Sequence, residues 1–218
     1  VGGVLADDMG LGKTLQLITH LLSLKQGGVL TQPALIVVPT SLIPNWQSEI
    51  ARFAPTLKVL TLHGPQRAED FDQLGAQDIV LTSYALLPRD VAPLRQQPFA
   101  LIVLDEAQQV KNPRTQARRA LLSLRTPRYV CLTGTPLENH LGELWSQIDL
   151  AVPGLLGDEG AFRRYYRVPI EKQHDEECQQ RLNLRISPFI LRRTKSQVAK
   201  ELPPKTEITR RVVLEGRQ

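Results

Sequence analysis

Two runs in this chain, Ala34–Val38 (ALIVV) and Leu101–Leu104 (LIVL), are apolar at every position. A strand wet on one face alternates apolar and polar residues. A strand apolar throughout is covered on both faces, the condition of a parallel strand between two layers of helix. Residues 4–6, 58–62, 79–82 and 129–133 read as further strands, with the second run extending to Asp105. Amphipathic stretches lie between them. Residues 13–24 place Leu15, Ile18, Leu21 and Leu22 on one helical face, and residues 44–53 do the same with Trp46, Ile50 and Phe53. Pro44 suits a first helical turn, where its missing N–H would have no partner anyway. Strand and helix in alternation predict an α/β fold with a doubly wound, mostly parallel sheet, whose functional loops gather at the carboxyl ends of the strands.

After Leu150 the strand runs stop. Pro153-Gly154 is a break, and residues 158–167 and 175–186 read as helices separated by a polar segment around 169–174. A helical C-terminal appendage is expected there, with the boundary near 153–158. Charge shifts at the same place. Residues 1–162 carry 13 basic and 15 acidic side chains, whereas residues 163–218 carry 14 and 7. A basic quarter points either to a polyanionic partner or to a solvated arginine-rich surface. Other classes are excluded. Cys131 and Cys178 make no disulfide framework, and His20, His63, His140 and His174 have no metal-type spacing. Apolar runs of about five residues are far short of the roughly 20 that span a bilayer, so no membrane is expected as partner.

Three strand ends carry chemistry. The first leads into Asp7-Asp8-Met9-Gly10-Leu11-Gly12-Lys13-Thr14 and then a helix. Glycines let backbone N–H groups turn inward around an anion, and a helix N-terminus adds positive partial charge. Lys13 can reach terminal phosphates, and the Thr14 hydroxyl can bind Mg²⁺. Asp7 stands where the regular phosphate-loop pattern has glycine. The second strand end is Asp105-Glu106-Ala107-Gln108. Asp105 is suited to hold Mg²⁺, and Glu106 to orient or deprotonate an attacking water. The third is Thr133-Gly134-Thr135-Pro136, whose hydroxyls could sense a γ-phosphate. Trp46, on an amphipathic helix, reads as core rather than as a stacking platform.

Taken in order, these segments resemble the first motor lobe of helicase-like ATPases of superfamily two, nearest the Swi/Snf group of duplex-DNA translocases. The resemblance runs through GGVLADDMGLGKT, ALIVVPTSLIPNWQSEI, IVLTSYALL, LIVLDEAQQVKNP, LTGTPLENHLGELWS and PFILRRTKSQVAKELPPK. Asp at position 7 and Gln108 both occur in that group. The resemblance implies a RecA-like lobe that binds ATP and Mg²⁺. Asp8, Met9, Gly10, Leu11, Gly12, Lys13 and Thr14 would cradle the nucleotide, with Thr14 and Asp105 on the metal. Glu106, Lys13, Asp105 and Gln108 would be catalytic. Thr133, Gly134 and Thr135 would couple nucleotide state to lobe movement. Pro39, Thr40, Ser41, Thr82, Ser83 and Tyr84 match segments that grip a DNA strand. Lys111 and Asn112 would lie near the site. Arg192, Arg193 and Lys195 would touch phosphate backbone or serve a structural or inter-lobe role, the latter favoured.

The resemblance also implies a division into an ATP-binding lobe (1–154), a helical protrusion with a basic linker (155–205) and the start of a connection to a second RecA-like lobe (206–218). The partners implied are duplex DNA, that second lobe and a DNA-bound protein complex, in the cytoplasm, nucleoid or nucleus. A chain without the second lobe, and without an adenine-reading segment before Val1, is expected to turn over little ATP. Two alternatives stand beside this reading: a docking module that does not hydrolyse, and a lobe of an RNA helicase.

Overall fold

The computed structural model describes residues 2–112, 115–134 and 141–198. Seven strands form one parallel sheet: β1 (Gly3–Leu5), β2 (Ala34–Val38), β3 (Val59–Thr61), β4 (Ile79–Ser83), β5 (Leu101–Leu104), β6 (Tyr129–Leu132) and β7 (Ile190–Leu191), in the spatial order β3-β4-β2-β5-β6-β1-β7. The helices are α1 (Lys13–Gln26), α2 (Ile43–Phe53), α3 (Val91–Gln96), α4 (Gln116–Leu122), α5 (Leu141–Ala151), α6 (Glu159–Phe162), α7 (Val168–Gln173), α8 (Glu176–Ile186) and α9 (Lys195–Val198).

The apolar runs do what their composition requires. Every residue of β2, β4 and β5 is buried. Successive side chains point to opposite faces, so each strand feeds two cores. Ala34, Ile36, Val38, Leu101 and Val103 pack with Leu17, Ile18 and Leu21 of α1 and with Ile43, Trp46 and Ile50 of α2. Leu35, Val37, Ile102 and Leu104 face the other way, into a second cluster with Leu94, Leu121, Leu144, Ile148, Phe162 and Leu182 of α3, α4, α5, α6 and α8. Each large aliphatic side chain buried this way contributes about 1.5–3 kcal/mol relative to exposure.

The structure corrects the sequence reading at four places. Leu15 is turned to solvent, because Leu17 rather than Leu15 lies on the buried stripe of α1. Phe53, at the last turn of α2, is 40% exposed, with the Arg52 guanidinium over its ring. The polar segment at 169–174 is helical through Gln173. A π-turn over Arg163–Arg167 shifts the hydrogen-bond register, and Pro169 sits in the first turn of α7, where it needs no donor. Both flanking helices start on an aspartate cap: Asp158 accepts from the Ala161 amide, and Asp175 from that of Cys178.

The fourth correction bears on the site. Strands do not stop at Leu150. Ile190–Leu191 adds to the free edge of β1 in register Val4↔Ile190 and Leu5↔Leu191. The Ala6 amide then donates to the Leu191 carbonyl at 2.7 Å, and the Asp8 amide to the Arg193 carbonyl at 3.0 Å. The basic tail is thus laced to the chain that becomes the phosphate loop. Among the described residues, no helix is long and apolar enough to cross a membrane.

Candidate nucleotide site and the strand ends beside it

β5, β6 and β1 are adjacent in the sheet, and all three run the same way. Their carboxyl ends therefore deliver Asp105-Glu106, Thr133-Gly134 and the 7–14 loop to one edge. The loop turns on Gly10 (φ 85°) and Gly12 (φ 74°), left-handed conformations that a side chain disfavours. α1 starts directly after Gly12, so its N-terminal amides open toward the loop. Lys13 folds back into the loop, where its ammonium donates to the Asp7 carbonyl at 2.7 Å and to that of Asp8 at 3.3 Å. Met9 and Gly10 are exposed, and Thr14 is half-buried. Gly134 backs onto this loop: a Cβ there would come within 2.8 Å of Met9 Cγ and 3.7 Å of Lys13 Nζ.

Asp105 is buried at 7% exposure and accepts two neutral N–H groups. The Trp46 indole donates to one carboxylate oxygen at 2.8 Å, and the Glu106 amide to the other at 3.0 Å. Burial pushes the Asp105 carboxyl above its ordinary range; the Trp46 hydrogen bond only partly offsets this, and the Glu106 charge adds to it. Glu106 adopts φ 50°, a conformation costing about 1–3 kcal/mol for a non-glycine residue, of the kind found where a side chain must be aimed. Its carboxylate accepts from the Gln108 side-chain amide at 2.6 Å. The Gln108 carbonyl in turn accepts from the Thr133 hydroxyl at 3.1 Å. Glu106, Gln108 and Thr133, separate in sequence, form one relay.

These donors fit a magnesium ion. Asp105 is a hard-oxygen ligand whose two hydrogen-bond donors are neutral, although it feels the charge of Lys13, and Thr14 follows Lys13 at the start of α1. Among the described residues no three His, Cys, Asp or Glu side chains cluster for metal binding.

Asp7, fully buried, has a different partner set. The Arg193 guanidinium donates to both of its oxygens, the Arg193 amide donates at 2.9 Å, and the Gln16 side-chain amide at 3.3 Å. Arg193 also donates to the Gln16 carbonyl. Burial alone would raise the Asp7 carboxyl, but the hydrogen bonds from Arg193 and Gln16 outweigh it and hold it below the ordinary range. Lys195 closes the same contact, its amide donating to Asp8 at 2.9 Å.

A model of the SNF2-related domain matches residues 1–218. The chain belongs to the SNF2-related domain family. It is 45% identical over 212 residues to the Bacillus subtilis protein YwqA, which is named as a candidate ATP-dependent helicase/translocase; the match covers 94% of this chain and 23% of that protein. It is 37% identical over 218 residues to Helicase domino of Drosophila melanogaster, covering 95% and 7%. Among solved structures, the SWI2/SNF2 ATPase core of Sulfolobus solfataricus in complex with dsDNA superposes with a TM-score of 0.83 at 42% identity, over 91% of this chain and 41% of that one. The chain therefore spans about a quarter or less of these curated relatives.

Within this SNF2-related chain, the six DNA-gripping candidates divide. Thr40 and Ser41 are exposed and Pro39 half-buried, on the turn after β2. Thr82, Ser83 and Tyr84 are buried, so this segment offers far less surface than the resemblance implies. The Thr82 and Ser83 hydroxyls have no hydrogen-bond partner, and Ser83 lines a cavity of about 460 Å³ with Thr40, His63, Arg67 and Arg89. Thr135 lies outside the described residues. Lys111 pairs with buried Glu143 of α5 at 2.9 Å. Sequence reasoning missed Gln16 altogether and left Trp46 and Arg193 without a partner. For Arg193 the only local signal is the Arg-Arg-Thr-Lys cluster, and for Trp46 a place on an amphipathic helix.

Proposed function

We propose that this chain is the ATP-binding lobe of a DNA-dependent ATPase that translocates on duplex DNA and remodels protein–DNA complexes. The observation that carries the reading is the meeting of the phosphate loop, the Asp105-Glu106 pair and the Gln108–Thr133 relay at the ends of three adjacent parallel strands. In this reading residues 1–154, with the returning strand β7, form the lobe proper, the rest of 155–205 a protrusion and linker packed on it, and 206–218, outside the described residues, the approach to a second lobe.

In this reading the Gly10–Thr14 amides and the Lys13 ammonium bind the β- and γ-phosphates. Lys13 leaves the Asp7 and Asp8 carbonyls to do so. Asp105 and Thr14 would hold Mg²⁺, whose charge would offset that of the phosphate oxygens. Glu106 accepts hydrogen bonding from the attacking water, and Gln108 holds the Glu106 carboxylate in reach. Thr133 and Gly134, touching Gln108 and the phosphate loop, report γ-phosphate loss to the rest of the lobe. Thr40 and Ser41, both exposed, supply neutral donors for a DNA backbone, contacts that carry no base information.

The deciding experiment compares ATP hydrolysis by the full-length protein with duplex DNA, single-stranded DNA and RNA. Strongest stimulation by duplex DNA is expected, with little turnover by the 218-residue chain alone. Preference for RNA would overturn the DNA reading, and absence of hydrolysis would leave a docking module. Glu106→Gln is expected to bind ATP and lose hydrolysis by about 10²–10⁴-fold.

A further inference from the structure

The indole of Trp46 and the hydroxyl of Tyr84 end on the same residue from opposite sides. Trp46 Nε1 donates to the Asp105 carboxylate at 2.8 Å, and Tyr84 Oη donates to the Asp105 backbone carbonyl at 2.8 Å. Both donors are buried, Trp46 completely. β2 lies between β4 and β5, and its end carries the links: the Tyr84 amide donates to Val38 at 3.2 Å, and the Asp105 amide to Val37 at 2.9 Å. Trp46 sits in the first turn of α2, which follows the turn at Thr40–Leu42 without a break. Tyr84 follows Ser83 directly. Thr40 and Ser83 line one wall each of the same cavity, with Arg67 and Arg89 beside them.

We propose that Trp46 is a positioning residue for hydrolysis, holding the Asp105 carboxylate for Mg²⁺, and that with Tyr84 it ties both strand-tip segments of the DNA face to that carboxylate. Both halves rest on the function proposed above, the Mg²⁺ half on its nucleotide site alone and the DNA half on its polymer as well. The chemistry of the donor is the reason. An arginine on Asp105 would fix its geometry but cancel its charge. A neutral indole N–H occupies one lone pair, sets the rotation of the carboxylate and leaves the full negative charge to a cation. Partners of this kind, one step removed from a metal, are worth about 10–100-fold in metal affinity or activity. A strand-tip segment that moves when it takes up phosphate backbone carries Trp46 or Tyr84 with it. Through the two hydrogen bonds that end on it, such a movement is passed to Asp105.

The test is calorimetric binding of a non-hydrolysable ATP analogue to this chain, with Mg²⁺ and with EDTA, for wild type and Trp46→Phe. The variant is expected to bind within about twofold of wild type in EDTA and to lose about tenfold of the gain that Mg²⁺ brings. An equal loss under both conditions would mean that Trp46 only supports the fold, and an unchanged Mg²⁺ gain would mean that it does not position Asp105; either overturns the proposal. Tyr84→Phe removes one oxygen from a buried ring and covers the case in which Trp46→Phe does not fold. In the full-length protein, assayed at saturating duplex DNA, it is expected to lower the stimulation of hydrolysis at least threefold, by analogy with other residues one step from a metal. Unchanged stimulation would break the link to the DNA face. A wild-type protein that DNA does not stimulate would count against the proposed function alone, since the Mg²⁺ measurement needs neither DNA nor turnover.

Discussion

Asp7 and Asp105 are both buried carboxylates at the carboxyl ends of parallel strands, yet their surroundings push them in opposite directions. Asp7 is clamped by a guanidinium and an amide and held below its ordinary range. Asp105 receives only neutral donors and is pushed above it. Neither side chain is more than 7% exposed, but Asp105 lies deeper in the protein, so depth and partner both separate them: burial dominates at Asp105, whereas the Arg193 and Gln16 hydrogen bonds outweigh it at Asp7. A carboxylate already paired with arginine is a tether. A carboxylate that is buried, fixed and hydrogen-bonded only by neutral donors is open to a cation from outside. The same sheet edge thus carries one aspartate that ties the returning chain to the loop and one that, in the proposed reading, is left for metal and nucleotide.

One substitution made at both sites breaks the comparison if it is wrong. Asp105→Asn is expected to lower hydrolysis by the full-length protein by at least 10², the scale of losing an essential group at a phosphoryl-transfer site. In the isolated chain its thermal midpoint should be unchanged or slightly higher, because Asn still accepts from Trp46 and carries no buried charge. Asp7→Asn should do the reverse. The midpoint should fall by a few degrees, since Arg193 loses its counter-charge and β7 loses an anchor at the edge of the sheet. Hydrolysis should fall less than for Asp105→Asn. A destabilised Asp105→Asn chain, or a fully stable Asp7→Asn chain, would remove the distinction between tether and poised ligand.

How legible this was depends on how far apart the partners lie in sequence. β2 and β5 could be read directly, because an unbroken apolar run has few other uses. The phosphate loop and Asp105-Glu106 could be read because each motif is local: its glycines, Lys13 and carboxylates sit within a few positions of a strand end. The residues that tune the site could not. Trp46 meets Asp105 across 59 positions, Arg193 meets Gln16 across 177 and Asp7 across 186. Nothing in the segment around Trp46 separates an indole with a carboxylate partner from one that merely fills space. β7 was hidden for a related reason. Two apolar residues between Pro188-Phe189 and two arginines make no strand pattern by themselves; the free edge of β1 makes them a strand.

The smallest effect expected is also the most specific to the clamp. A carboxylate whose folded pKa lies below its unfolded one adds stability that is present above the unfolded value, near 3.9, and is lost as pH falls through the folded value. Asp7 is of this kind. The difference in thermal midpoint between wild type and Asp7→Asn should therefore hold steady from pH 7 to about pH 5 and narrow below about pH 4, as wild-type Asp7 takes up a proton and both chains present a neutral group to Arg193. Thermal melts across that range check it. High salt should shrink the difference only modestly, because Asp7 is fully buried even though Arg193 is partly exposed. A gap that stayed constant to pH 3 would mean that Asp7 stabilises by shape rather than by charge. The contrast with Asp105 would then lie in packing and not in which aspartate keeps its charge free.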